Sequence, residues 1–127
     1  LGGGPLYGLA YQFALTTIME YLRINATVIN TCEFRHGPLE IVEEGAPTMG
    51  FLLGEDSSRH IGERTLSFCN RYGAETFSFD AKEFSNTHPL LAPFVVFPAV
   101  NWFIAYMALE LGIHPDDYKY MHEVAYE

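Results

Sequence analysis

The sequence predicts an α/β domain, a three-layer sandwich with an open parallel sheet between helices, and three stretches carry that prediction. Pro5 to Ile24 sets Leu6, Leu9, Phe13, Ala14 and Leu22 at helical spacing. Pro47 to Leu53 is a near-continuous apolar run, the mark of a strand buried on both faces. A helical stretch from about Ser58 to Tyr72 then leads to an alternating strand, Glu75 to Phe79, ended by Asp80. Strand, helix, strand in that order makes a parallel pair with a crossover, and ligands on such sheets collect at the carboxyl ends of the strands.

In chain order, the first residue is Leu1, followed at once by Gly2-Gly3-Gly4, so the chain reads as starting at the end of a strand and as a piece of a longer protein. The glycines let backbone approach a ligand or a neighbouring strand closely. They miss the dinucleotide fingerprint: the third glycine falls at Gly8, where Tyr7 stands at the required position. A turn or sugar-contacting loop is the better reading. Pro5 suits the first turn of the helix and Asn25 ends it. Ala26 to Thr31 is short and β-prone, and Glu33 to Val42 suits a brief helix interrupted by Gly37-Pro38. Gly54 to Ser58 reads as a turn with capping residues; Ser57 and Ser58 could hold a phosphate at the helix start, but capping alone accounts for them.

Leu90 to Leu109 is long enough to resemble a membrane span, with Asn101 its one polar residue. It holds Pro93 and Pro98, follows His88-Pro89, and has no flanking Lys or Arg anchors, so a buried helix at a subunit interface is the expectation, not a membrane segment. The tail from His114 to Glu127 has no clear period.

Composition bounds the function. The chain has 127 residues, enough for one domain, and a net charge of -9 that would repel a phosphate backbone, which disfavours nucleic acid. A phosphorylated metabolite stays open, because backbone amides bind it locally. Cys32 and Cys69 read as reduced thiols in a cytoplasmic setting, and no signal peptide is visible. The histidines lack metal-ligand spacing, and neither a serine-nucleophile elbow nor a Walker loop occurs.

The chemistry concentrates in Cys32-Glu33-Phe34-Arg35-His36-Gly37-Pro38-Leu39-Glu40-Ile41, which sets a base that titrates near neutral pH between carboxylates, beside an arginine and a Gly-Pro break. Glu20, sixteen positions before His36, falls in register with the apolar side of the first helix, and among Met19, Tyr21 and Leu22 it is either solvent-facing, the favoured reading, or partly desolvated. A carboxylate and an imidazole are the minimum pair for moving protons on a sugar.

Gly2-Gly3-Gly4-Pro5 opening a helix, Glu20 within it, and the run Glu33 to Val42 after it resemble the second, C-terminal sugar isomerase (SIS) domain of two-domain phosphosugar proteins, a flavodoxin-like αβα fold. Within that superfamily the chain is most similar to the fructoselysine 6-phosphate deglycases and their fructose-asparagine relatives. The similarity continues through Phe51-Leu52-Leu53-Gly54, Ser58-Arg59-His60, Glu63-Arg64 and His88-Pro89-Leu90-Leu91-Ala92-Pro93-Phe94. It implies that residues 1–127 are one SIS domain, with the N-terminal SIS domain outside this sequence. It implies a homodimer with sites between domains and across subunits, acting on a small-molecule sugar phosphate without metal or redox cofactor.

The same resemblance puts the catalytic pair on Glu20 and His36, and substrate binding on Gly3, Gly4, Glu33, Arg35 and His122. In the isomerase domain of glucosamine-6-phosphate synthase, the matching histidine opens the sugar ring and the matching glutamate moves a proton between carbons. Two departures, Thr17 for a lysine one turn before the glutamate and His122 for a lysine near the C-terminus, count against an amino-sugar isomerase. The expected reaction is cleavage of a 6-phosphorylated fructosyl-amino acid to glucose 6-phosphate and the amino acid. Aldose-ketose isomerisation and a non-catalytic sugar-phosphate sensor are the alternatives.

Overall fold

Gly2 lies where a side chain does not fit. In the computed structural model, which describes residues 1–52, 57–114 and 116–126, a Cβ on Gly2 would stand 2.9 Å from Ala10 Cβ and 3.0 Å from the Leu6 carbonyl oxygen. Helix α1 (Leu6–Gln12) thus rests its first turn directly on the backbone of the opening segment. That segment bridges in parallel to Asn30 on one side and to Phe51 on the other. Gly2 N–H donates to the Ile29 carbonyl at 3.2 Å, and Phe51 N–H to the Leu1 carbonyl at 3.0 Å.

Strand β1 (Pro47–Leu52) pairs in parallel with β2 (Glu75–Asp80), Pro47 opposite Glu75 and Leu52 opposite Asp80, and helix α2 (Arg59–Arg71) is the crossover between them. The order across the sheet is therefore the segment around Asn30, then Leu1–Gly2, then β1, then β2, all parallel. The β-prone stretch expected over Ala26 to Thr31 makes one bridge, at Asn30. Leu53, expected to close β1, and Gly54 to Asp56 of the expected turn lie outside the described residues; Ser57 and Ser58 are in a turn.

The pleat sorts the core into two faces. On one, Phe51 meets Phe13 edge-on at 5.8 Å and Phe79 in a stack at 5.9 Å, while Phe77 and Phe79 both meet Phe103 of helix α4 (Ala92–Leu111). On the other, Gly50 leaves room for α2: a Cβ there would come within 2.5 Å of Leu66 Cδ1. Cys69 of α2, with Phe34 and Ala74, forms the second, smaller cluster. Helices α1 and α4 thus cover one face and α2 the other, the three layers that the sequence predicts. Between β2 and α4 comes the short helix α3 (Ala81–Phe84), capped by Asp80, whose Oδ1 accepts from Lys82 N–H at 3.0 Å.

Beyond Gln12 the first helix widens to i→i−5 bonding over Phe13–Tyr21, as Leu22 N–H to the Thr17 carbonyl at 2.9 Å shows. Thr16 Oγ1 donates back to the Gln12 carbonyl at 2.9 Å, a bond that loosens a helix. The helix stops short of the expected Ile24 because Arg23 turns to φ +59.

Helix α4 is covered within the chain on one side only. Ala92, Val96, Val100, Ile104 and Ala108 form a buried stripe at i, i+4 spacing, but Phe94 (76%), Trp102 (66%) and Leu109 (76%) are exposed. The sheet fills one side of an all-round apolar helix, so α4 is buried along one stripe only. The stretch Pro89–Leu111 is long and apolar enough to cross a membrane by length and composition, while its buried stripe belongs to the core of this domain.

Two glycine substitutions should separate in sign. Gly2→Ala pushes α1 off the sheet and should lower stability by about 1–3 kcal/mol in urea unfolding. Gly8→Ala, whose Cβ meets nothing within 4 Å in the exposed face of α1, should raise it by roughly 0.5–1 kcal/mol.

Candidate functional site

The carboxyl end of the sheet gathers two of the sequence-predicted groups. After the Gly2–Asn30 bridge both strands leave the sheet together, one into Gly3-Gly4 and the other into the turns that carry His36. Gly3 is buried against Thr31: a Cβ on Gly3 would sit 2.5 Å from Thr31 Oγ1 and 3.9 Å from Ser58 Cβ. Gly4 is exposed, with φ +50.

The turn holding His36 is built from its backbone and one anchor. Asn30 organises its start: the Asn30 carbonyl accepts from Glu33 N–H at 2.9 Å and from Phe34 N–H at 3.1 Å, and Asn30 Oδ1 accepts from Cys32 N–H at 3.0 Å. Phe34 is buried edge-on to Phe68 of α2, ring centroids 5.7 Å apart, and so pins the short 3₁₀ turn Phe34–His36 to the domain. Gly37, at φ +139, breaks it before a second turn, Pro38–Ile41, as the Gly-Pro pair predicts. Burial of Phe34 turns its neighbours outward: Glu33, Arg35 and His36 are all exposed.

Glu20 stands elsewhere. The first helix leaves the carboxyl end of the sheet at Gly4 and must return the chain to the amino end, because the next extended segment pairs in parallel. Roughly 20 Å of helix separates Gly4 from Glu20, and the side chain is exposed, not on the buried face formed by Leu6, Leu9, Ala10, Phe13 and Ala14. One chain therefore does not bring Glu20 and His36 into contact; among the described residues neither side chain has an intrachain hydrogen bond or ion pair. His122 is also exposed, at φ +64, its ring edge-on to Tyr118 at 5.3 Å.

The site's frame includes groups the sequence reading did not single out. Arg59 at the start of α2 reaches the end of β2: Nη1 donates to Asp80 Oδ1 at 2.8 Å, Nη2 donates to Asp80 Oδ2, and Nε donates to Glu63 at 2.7 Å. This bidentate pair holds the Asp80 carboxyl below the ordinary carboxylate range and raises the guanidinium further. Thr31 is the other: its hydroxyl is buried and has no hydrogen-bond partner among the described residues. Nothing local in the sequence marks either, since both arise from contacts between distant segments. Among the described residues no three His, Cys, Asp or Glu side chains converge as metal ligands. Cys32 is exposed, and Cys69 is buried, which pushes its thiol up.

A parallel sheet between helices, with loops gathered at its carboxyl end, is an open α/β frame that many proteins share, and likeness to a solved structure narrows it to the phosphosugar isomerase (SIS) type. A Bacillus subtilis protein described as a phosphosugar isomerase superposes over 98% of this chain and 40% of its own, with a TM-score of 0.91 and 30% identity. The chain is homologous over nearly its whole length to proteins named fructoselysine 6-phosphate deglycase and fructosamine deglycase. It is 40% identical over 121 residues, 94% of its length, to fructoselysine 6-phosphate deglycase of Escherichia coli strain K12. It is also 32% identical over 133 residues, 99% of its length, to fructosamine deglycase FrlB of Bacillus subtilis strain 168. The chain spans 35% and 40% of the length of those two relatives. No family model matches it.

Stability should carry the signature of the Arg59–Asp80 pair. The folded Asp80 carboxyl titrates below its ordinary value of 3.8, so the pair contributes fully above that pH and its contribution fades as pH falls further. Asp80→Asn should cost about 1.5–3 kcal/mol at pH 7 and flatten the acid limb of a stability-against-pH curve measured by urea unfolding.

Proposed function

We propose that the polypeptide carrying this domain is a phosphosugar deglycase, cleaving a 6-phosphorylated fructosyl-amino acid to glucose 6-phosphate and the free amino acid. The observation that carries the reading is the 40% identity over 121 residues to a protein named fructoselysine 6-phosphate deglycase. The position of Gly3, Gly4 and the His36 turn at the carboxyl end of a parallel sheet agrees with it.

In the proposed reaction the sugar ring opens to an open-chain ketosamine. A base takes a proton from C1, an acid returns one to C2, and the resulting imine of glucose gains water and releases the amine. Glu20 is assigned the C1/C2 proton shuttle and His36 the ring-opening or hydrolytic acid/base. Gly3, Gly4, Glu33, Arg35 and His122 are assigned to hold the substrate.

Because Glu20 and His36 are not brought together within one chain, the working pair is proposed to form across a homodimer, one group from each copy. Both are exposed and, among the described residues, without intrachain hydrogen-bond or ion-pair partners, so each is available to such an interface. A covering subunit would also supply the exclusion of water that proton transfer at carbon requires.

Aldose-ketose isomerisation is the second reading, favoured by the description of the structural neighbour as a phosphosugar isomerase. Product analysis on phosphorylated fructosyl-amino acids separates the two, since deglycation alone releases an amino acid. Glu20→Gln and His36→Ala should each slow glucose 6-phosphate release by about 10²-fold or more with the unfolding midpoint unchanged. If inactive copies of the two variants regain activity when mixed, the pair is shared between subunits; near-full activity of either variant alone refutes the assignment.

A further inference from the structure

The first helix can bury only one of two side chains near its end. Its wide stretch, Phe13–Tyr21, is nine residues of i→i−5 bonding, whereas such turns are rare and mostly single. Phe13 at one end and Leu22 just past the other are both buried, in the same core cluster. Leu22 lies nine positions after Phe13, two and a half turns of an α-helix, which would put the two side chains on opposite faces. With more residues in each turn the same stretch makes about two turns and returns Leu22 to the core.

Glu20 obeys the opposite arithmetic. It lies seven positions after Phe13, about two turns of an α-helix, so an α register would lay its carboxylate on the core and turn Leu22 out. The wide register reverses both: Leu22 is buried and Glu20 is exposed. The register changes at a definite place. Where α1 ends at Gln12, Thr16 Oγ1 donates to the Gln12 carbonyl at 2.9 Å, the oxygen that would accept from Thr16 N–H in an α-helix. At the far end Leu22 N–H reaches the Thr17 carbonyl at 2.9 Å, Ile24 N–H reaches the Ile18 carbonyl at 3.0 Å, and Arg23 at φ +59 stops the helix. Gln12, Thr16 and Glu20 are all exposed.

We propose that Thr16 is a positioning residue for Glu20: its hydroxyl, by occupying the Gln12 carbonyl, holds the helix in the wide register that carries the Glu20 carboxylate off the core and out to the surface. Thr16 itself does not act on substrate. The proposal rests on the assignment of Glu20 to proton transfer made above, and adds the device that sets the direction of its side chain. A hydroxyl bonded back onto its own helix loosens it, so the device favours function over stability. Removing it should therefore leave the fold no less stable.

Steady-state kinetics of the full-length polypeptide on a panel of 6-phosphorylated fructosyl-amino acids test it. Thr16→Val keeps the branched shape and deletes the donor. It should lower kcat about 10-fold or more, as a displaced catalytic group does, with KM within about twofold and Tm unchanged or raised. Thr16→Ser, which keeps the donor, should recover kcat to within about twofold of the unsubstituted protein. In a Glu20→Gln background Thr16→Val should cost less than about a further twofold, because both changes act on one group. Full kcat in Thr16→Val beside an inactive Glu20→Gln overturns the positioning role alone. So does a loss that falls in KM, comes with a lower Tm, is not recovered by Thr16→Ser, or adds to that of Glu20→Gln. No turnover by the unsubstituted polypeptide, or full activity of Glu20→Gln, overturns the reading on which the role rests, and the role with it.

Discussion

Everything in this domain depends on the close contact of Gly2 with two extended segments and one helix. Its backbone bridges the Asn30 segment to β1, and its missing side chain lets α1 settle on the sheet. Without that contact the Asn30 segment would have no bridge to the rest of the sheet, and the turn with His36 would hang from it unsupported. The contact also positions the candidate site. It aligns the ends of two strands, so that Gly3-Gly4 and the residues following Thr31 emerge side by side where ligands of parallel sheets collect.

Elements whose signal is local were legible in the sequence. The apolar run from Pro47 and the alternation from Glu75 gave β1 and β2 within a residue or so, because a strand buried in a sheet needs those patterns to exist. The Gly37-Pro38 break was equally readable, since a φ of +139 favours glycine. Features made by distant contacts were not. Arg59 and Asp80 are 21 positions apart and become partners only when the crossover closes; Thr31 becomes a buried hydroxyl only because Gly3 packs over it. Glu20 lies beyond Gln12, where the helix widens, and it is exposed, the side that its residue type and neighbours favour.

Helix α4 shows the same limit from the other side. Its sequence is apolar nearly all round, and composition says only that such a helix wants cover on every face. How much cover one chain supplies is a question of how many elements pack on it. Here the sheet and the helices beside it bury the stripe of Ala92, Val96, Val100, Ile104 and Ala108 and partly cover Phe103 and Met107 next to it. Phe94, Trp102 and Leu109 are left outside by the shortage of neighbours and not by any polarity of their own.

That shortage bears on the chemistry. An acid/base pair acting at the carbons of a sugar works in a site from which water is excluded, where its field is not screened. The fold of this chain presents Glu33, Arg35 and His36 on an open turn and Glu20 on an exposed helix end, each rigidly based and none enclosed. Rigidity and enclosure thus have different sources. Phe34 and the Asn30 hydrogen bonds fix the turn from within the domain, while the walls that would dry the site must come from surfaces that pack over it. On the proposed deglycase reading, the domain would form one wall of an active site, and Glu20 and His36 would become a pair only in an assembly that closes the other.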